Sequence, residues 1–412
     1  MNGNVRPSGA RLWDSLMRYA AIGGTEKGGC NRQALTDLDG QARALLQAEA
    51  EAAGARLILD RVGNMMLLRP GRDPGRRPVA IGSHLDTQPT GGKFDGVLGV
   101  LAGLEILRAL QEAGVETAAP IALINWTNEE GARFSPPMMG SGAAMGIFPE
   151  AEVLAKQDGE GAQFGAELSR IGWQGAADPG ALADLDAYFE LHIEQGPVLE
   201  REALDLGIVT HALAQRWWDV TVEGAEAHGG SPMAGRTDAL MAAAELALAI
   251  EAAALAAGAR ATVGRMSLSP DSRNVVPGRV WFSLDTRHDH EDDLETLAQA
   301  MRAAASGIEV KRGVTITLAQ FWLSPATPFD ATLAARLTAA ATARGIAHRT
   351  MPTAIGHDAV YVARRVPSVM LFCPCHGGLS HNEAESITPA WAEAGLVVLA
   401  DAVLATAGLA KE

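Results

Sequence analysis

Pro78-Val79-Ala80-Ile81-Gly82-Ser83-His84-Leu85-Asp86-Thr87 is the stretch on which the reading of the fold turns. The apolar run from Pro78 to Gly82 breaks into a polar loop, and a glycine-rich segment then leads to an apolar helix expected over Val97 to Ala113. The order is strand, polar loop, helix. Pro120 to Trp126 repeats it, running into Thr127-Asn128-Glu129-Glu130, and Asp186 to Leu191 repeats it again before His192-Ile193-Glu194-Gln195-Gly196. In open α/β sheets ligands bind beyond the carboxyl ends of strands, where converging loops carry freely placed side chains. Three polar clusters fall at that place.

Upstream, apolar residues recur at helical spacing from Arg11 to Ala20 and from Thr36 to Ala53, with Asp39 three positions after the helix-starting Thr36. Arg56 to Val62 and Met65 to Arg69 flank Gly63-Asn64, a dipeptide suited to a tight hairpin turn. Downstream the rhythm changes. Strand Arg216 to Val222, helix Thr237 to Ala257, strands Thr262 to Ser269 and Val280 to Asp285, helix Glu291 to Ala305 and strand Val314 to Trp322 follow one another. That βαββαβ order is ferredoxin-like, and it predicts an inserted domain over residues 213–325, between two parts of a larger domain, 1–212 and 326–412. The chain then returns to helix Ala331 to Ala343, strand Ser368 to Cys373 and a last helix entered through Thr388-Pro389, an N-cap residue followed by proline. The fold class expected is α/β: a mixed-sheet main domain carrying a ferredoxin-like insert.

A chain of 412 residues exceeds the usual size of one hydrophobic core, so two domains are expected. With 48% hydrophobic and 20% charged residues it has an ordinary globular balance, and a net charge of -15 disfavours nucleic acid or anionic membrane as partner. The Ala-rich stretch from Ala239 to Ala257 is interrupted by Glu245 and Glu251, so no membrane span is read there. The three cysteines, Cys30, Cys373 and Cys375, do not describe a disulfide framework and point to a reducing cytoplasm.

Metal-capable side chains gather at the strand ends: His84, Asp86, Asp95, Glu129, Glu130, His192 and, late in the chain, His381. Imidazole with carboxylate suits borderline divalent ions such as zinc, manganese or cobalt. Two cations need a carboxylate between them, and Asp95 in its glycine-flanked loop is the candidate. Adjacent residues of an extended segment point in opposite directions, so Glu129-Glu130 offers one ligand and one free base. The spacing His84-Leu85-Asp86 places Asp86 to orient the imidazole. Each motif alone has a plainer reading, as a surface acid pair or a turn aspartate. Their shared location at strand ends in one domain decides against it. Cys373-Pro374-Cys375-His376 reads as buried thiols rather than ligands.

Taken together, Gly82-Ser83-His84-Leu85-Asp86-Thr87, Gly91-Gly92-Lys93-Phe94-Asp95-Gly96, Thr127-Asn128-Glu129-Glu130-Gly131-Ala132-Arg133-Phe134 and Glu190-Leu191-His192-Ile193-Glu194-Gln195-Gly196-Pro197 resemble the M20 metallopeptidase and amidohydrolase superfamily, and within it the hydantoinase/carbamoylase amidases. Ser272-Arg273-Asn274-Val275-Val276-Pro277-Gly278, Gly356-His357-Asp358-Ala359 and Ser380-His381-Asn382-Glu383 extend the resemblance nearly end to end. It implies two divalent ions per subunit (zinc, manganese, cobalt or nickel), with His84 and His192 on one, Glu130 and His381 on the other, and Asp95 shared. Glu129 would be the general base, assisted by Asp86 and His228, and Gln195, His228, Asn274, Arg287 and Gly356 would bind substrate. Arginine suits a carboxylate because its planar fork donates two parallel hydrogen bonds.

The activity so implied is hydrolysis of N-carbamoyl-L-amino acids to amino acid, carbon dioxide and ammonia, with allantoate and 3-ureidopropionate as rival substrates. The resemblance also implies substrate held between the domains, lid closure, and a homodimer formed through the insert. A non-catalytic binding module on the same fold is the alternative from another class, and the intact set of ligands with Glu129 argues against it. Thr353-Ala354-Ile355 before Gly356 departs from the family's Ser-Gly-Ala, and the bulkier Ile355 is expected to reshape the pocket for the amino-acid side chain.

Overall fold

The computed structural model describes residues 5–409. The repeated strand–loop–helix passages fold as parallel neighbours. Val79–His84 pairs in parallel with Ile121–Trp126 on one side and Ala187–Ile193 on the other, and Ser368–Cys373 runs parallel to Ala187–Ile193. Every residue of these strands is buried, which is why each reads as a continuous apolar run rather than an alternation. Met65–Arg69 joins Ile121–Trp126 antiparallel, and Leu206–Ala212 joins Ser368–Cys373 antiparallel, so the nine-stranded sheet is mixed.

Helices Val97–Ala113 and Pro389–Ala407 contribute many buried apolar side chains to the core of this sheet. A fully buried Leu such as Leu101 or Leu399 contributes about 1.5–3 kcal/mol. By length and composition Ala239–Ala257 and Pro389–Ala407 could each cross a membrane, but Leu396, Leu399 and Val403 of the latter are core residues of this unit. Helix Asp37–Ala52 starts as its sequence predicts: the Thr36 hydroxyl accepts from Asp39 N, while the Asp39 carboxylate accepts from Leu35 N.

The chain divides into two compact units. One comprises the chain up to Thr210, Pro328–Met351 and the segment from Gly356 onward; the other comprises His211–Thr327 with Pro352–Ile355. In the second, four antiparallel strands lie in the order Thr315–Ser324, Ala214–Glu223, Arg279–His288, Arg260–Ser269. Helices Ala239–Ala257 and Glu291–Arg312 cover one face through Val220, Val222, Phe282 and Leu284. This is the ferredoxin-like arrangement. The second helix runs past the expected Ala305 because Ile308 returns to the core, after Ser306-Gly307 has interrupted the apolar pattern.

The hairpin after Leu59 differs from expectation. Its turn is a five-residue loop from Asp60 to Asn64, in which the Asp60 side chain accepts from Val62 N and Asn64 N. Gly63 takes a φ of 86°. Strands Leu206–Ala212 and His348–Thr353, which pair with each other, were not legible as strands, because each is short and mixes polar with apolar residues.

Candidate metal centre

The last residue of strand Val79–His84 is itself a candidate ligand. His84 Nδ1 lies 2.9 Å from the backbone carbonyl of Asp86, which fixes the ring and turns Nε2 toward Asp95 Oδ1 at 3.7 Å. His192, buried in the neighbouring strand, repeats the device: Nδ1 lies 3.0 Å from Ile193 O and Nε2 lies 3.1 Å from Asp95 Oδ1. Burial alone would lower the His192 pKa, but the hydrogen bond and charge of Asp95 lift it to about 9.

Asp95 has a different partner on each oxygen. Oδ1 faces both buried imidazoles, while Oδ2 lies 3.6 Å from His381 Nε2 and accepts from Gln195 Nε2 at 2.8 Å and Ser380 Oγ at 2.7 Å. Burial would raise its pKa, yet His192, His84 and His381 hold it well below the carboxylate range. His381, half-exposed and with a φ of 52°, places Nε2 3.2 Å from Glu130 Oε2, and that hydrogen bond raises its pKa to about 9. Ligand atoms of His84, Asp95 and His192 lie within 4.8 Å of one another, as do those of Asp95, Glu130 and His381. The two donor sets share Asp95.

This donor chemistry fits a pair of borderline divalent cations: each set combines imidazole nitrogen with carboxylate oxygen. Backbone geometry is bent to allow it. Gly96 has a φ of 69°, and a Cβ there would sit 2.3 Å from His84 Cε1. At Gly92 a Cβ would sit 2.0 Å from the Glu385 carboxyl. Glu385 is buried and accepts from Phe94 N at 2.9 Å and Asp95 N at 3.2 Å, so it holds the loop that carries Asp95. Burial pushes its pKa up to about 8. Sequence reading missed Glu385; its only signal was an acid in a segment that leads into an apolar helix.

Two expectations about the acid motifs are corrected. Glu129-Glu130 is not extended: residues 127–130 form bends, and Asn128 takes a φ of 57°. The divergence of the pair comes from this loop, which sends Glu129 Oε2 to 3.5 Å from His84 Nε2 and Glu130 Oε2 to the His381 side. The Asp86 carboxylate stands 3.9 Å from His84 Nδ1 and instead accepts from Glu129 N and Glu130 N, each at 3.2 Å. It therefore fixes the acid loop, and the backbone carbonyl beside it orients the imidazole. Burial raises Asp86 to about 6, and burial followed by the charge of Asp358 raises Glu129 well above the carboxylate range. The same loop is tied at Thr127 N by Asn64 Oδ1, whose Nδ2 donates to Asp60 and to Gly140 O.

Gln195 has a φ of 54°, and its amide nitrogen is engaged by Asp95 and Ser380 while its buried Oε1 has no partner among the described residues. Gly356 lies so close to Met138 that a Cβ would approach Met138 Cε to 2.9 Å. His357, in the Gly356-His357-Asp358-Ala359 motif, packs edge-on against His192 with ring centroids 4.5 Å apart. In the insert, the short ribbon pairing Val275 with His228 brings His228 and Asn274 together, and Gly229 N donates to Asn274 O at 2.6 Å. Arg287 stands apart from them on the four-stranded sheet, held by Asp285 and by the carbonyl of Ala354. Ile355 and Arg287 both line one cavity of the insert. The Cys373 and Cys375 thiols are buried, and burial pushes Cys375 up to about 12, so they stay protonated and outside the site.

Residues 80–405 match the description of peptidase family M20/M25/M40. The chain is 46% identical over 411 residues, covering 99% of both chains, to an N-carbamoyl-L-amino-acid amidohydrolase of Rhizobium meliloti. It is 33% identical over 394 residues, 95% of this chain and 96% of the relative, to an allantoate amidohydrolase of Bacillus subtilis (strain 168). The crystal structure of a hydantoinase/carbamoylase family amidase from Burkholderia multivorans superposes with a TM-score of 0.93 at 44% identity, covering 98% of each chain. Fold, metal-capable clusters and end-to-end similarity converge: the chain belongs to peptidase family M20/M25/M40 and, within it, to the amidohydrolases of the hydantoinase/carbamoylase type.

Proposed function

We propose that the chain hydrolyses the ureido C–N bond of N-carbamoyl-L-amino acids, with two divalent ions per subunit held by His84, His192, Asp95, Glu130 and His381. The observation that carries this reading is Asp95, one carboxylate facing two donor sets, with the Glu129 carboxyl beside them. The substrate class follows from the names of the relatives, of which the Rhizobium meliloti protein matches 99% of the chain. The ions, zinc, manganese, cobalt or nickel, supply Lewis acidity and lower the pKa of a water when bound. The charge of bound cations would offset the burial and the Asp358 charge that raise Glu129, so that its carboxylate takes a proton from the attacking water and returns it to the departing nitrogen. Gln195 and Ser380 hold Asp95 in place, and Asp86 holds the loop that presents Glu129. His228 and Asn274 are proposed to donate toward the developing oxyanion, Arg287 to take the substrate carboxylate, and Gly356 to contact the substrate.

A homodimer through the insert and a cytoplasmic location complete the proposal, the second supported by free, buried thiols. Allantoate is the second reading, because the Bacillus subtilis relative bears that name. The test is ammonia release from a panel of N-carbamoyl-L-amino acids, 3-ureidopropionate and allantoate by metal-loaded protein. Glu129→Gln is expected to retain its metal content and lose about 10²–10⁴-fold in kcat. No ammonia from any member of the panel overturns the reading and favours a binding module.

A further inference from the structure

On the face of the insert's sheet away from its helices, Arg287 is paired directly with Arg260 on the adjacent antiparallel strand. Directly opposed side chains on such strands have Cβ atoms about 4.5–5.5 Å apart, and like charges in that position repel. Both arginines line a cavity of about 300 Å³ with Thr262, Asp285, Ala354 and Ile355. That volume is at the lower end of the range for small-molecule sites.

The two guanidiniums are not equivalent. Arg287 Nε donates to Asp285 Oδ1 and Oδ2 at 3.1 and 3.0 Å, its Nη2 donates to Asp285 Oδ2, and its Nη1 donates to Ala354 O. Asp285 also accepts from Gln215 Nε2 at 3.1 Å. A guanidinium has five N–H groups, so second hydrogens remain on Nη1 and Nη2, enough for an incoming carboxylate. Its charge, however, is already cancelled by Asp285. Arg260 is exposed and has no acidic partner among the described residues, so the net positive charge of the cavity is its own. We infer that Arg260 is a second carboxylate-binding arginine of this cavity, supplying the net charge that Arg287, neutralised by Asp285, does not. Arg287 gives direction and Arg260 gives attraction; the ligand class is a small organic acid, with its carboxylate set against both guanidiniums.

As a substrate-binding role this rests on the ureido acid reading above, and the test separates the two. Arg260→Ala is assayed against an N-carbamoyl-L-amino acid and against the corresponding uncharged amide. KM for the acid is expected to rise about 10- to 100-fold, the loss of one charge-assisted contact, with kcat nearly unchanged and the amide unaffected. Arg260→Lys should recover part of the loss, since it restores the charge without the planar fork. An equal change for acid and amide, or no change for either, overturns the inference. Calorimetric titration of the same two compounds into Glu129→Gln protein, with and without Arg260→Ala, reads binding without turnover. Arg260-dependent binding of the acid by a protein whose wild type releases no ammonia keeps the inference and sinks the functional reading. Ammonia release that is indifferent to Arg260 does the reverse, and neither binding nor turnover sinks both.

Discussion

Asp95 serves two donor sets because its oxygens are separately addressed, Oδ1 by buried imidazoles and Oδ2 by an amide, a hydroxyl and the half-exposed His381. His381 carries the consequence that is easiest to measure. Glu130 raises its pKa to about 9, so without a cation the imidazole is protonated at neutral pH. A cation needs the neutral ring, and binding must therefore expel that proton. Metal affinity should rise about tenfold per pH unit below 9 for this one proton and flatten above it. Calorimetry of metal binding at pH 7 in two buffers of different ionisation enthalpy checks this: equal apparent enthalpies, meaning no proton release, would refute it.

At the scale of elements, the loop after strand Ile121–Trp126 matters more than the strand. Its backbone is tied at Thr127 by Asn64 and at Glu129 and Glu130 by Asp86, so it presents the two acids without being extended. Removing the Asp86 carboxylate by Asp86→Ala leaves both N–H groups without their acceptor. A stability loss of about 1–3 kcal/mol per buried donor is expected, read by denaturant unfolding. Because His84 is oriented by the backbone carbonyl of Asp86, which the substitution keeps, metal should be lost from the Glu130–His381 set before the His84–His192 set. Metal titration that empties the His84–His192 set first would return Asp86 to the imidazole-orienting role suggested by its spacing.

At the scale of the whole molecule, the insert's helix Ala239–Ala257 is apolar on more than its packed side. Ala242, Leu246 and Ile250 face the core, while Met241, Leu248 and Leu255, seven residues apart, are 43%, 66% and 75% exposed. An apolar row of that length supports the proposed dimer through the insert. Leu248→Glu should shift sedimentation toward the mass of a single chain, with metal content unaffected. An unchanged oligomer would remove this helix from the interface.

The sequence by itself determined the strand–loop–helix repeats, the βαββαβ order of the insert and the gathering of metal-capable side chains at the strand ends. Those features are local: a strand buried on both faces must read as an unbroken apolar run, and chemistry accumulates where such runs stop. Tertiary structure alone decided who touches whom. The acceptor for the Asp95 loop, Glu385, lies 290 residues away along the chain, and the Asp86 carboxylate turned from its sequence neighbour His84 to backbone amides 43 and 44 residues on. Nor could spacing show that Arg287 is already neutralised while Arg260 opposite it is not. Hydrogen bonds between distant segments depend on register and loop conformation, to which a periodic pattern of apolar residues is blind.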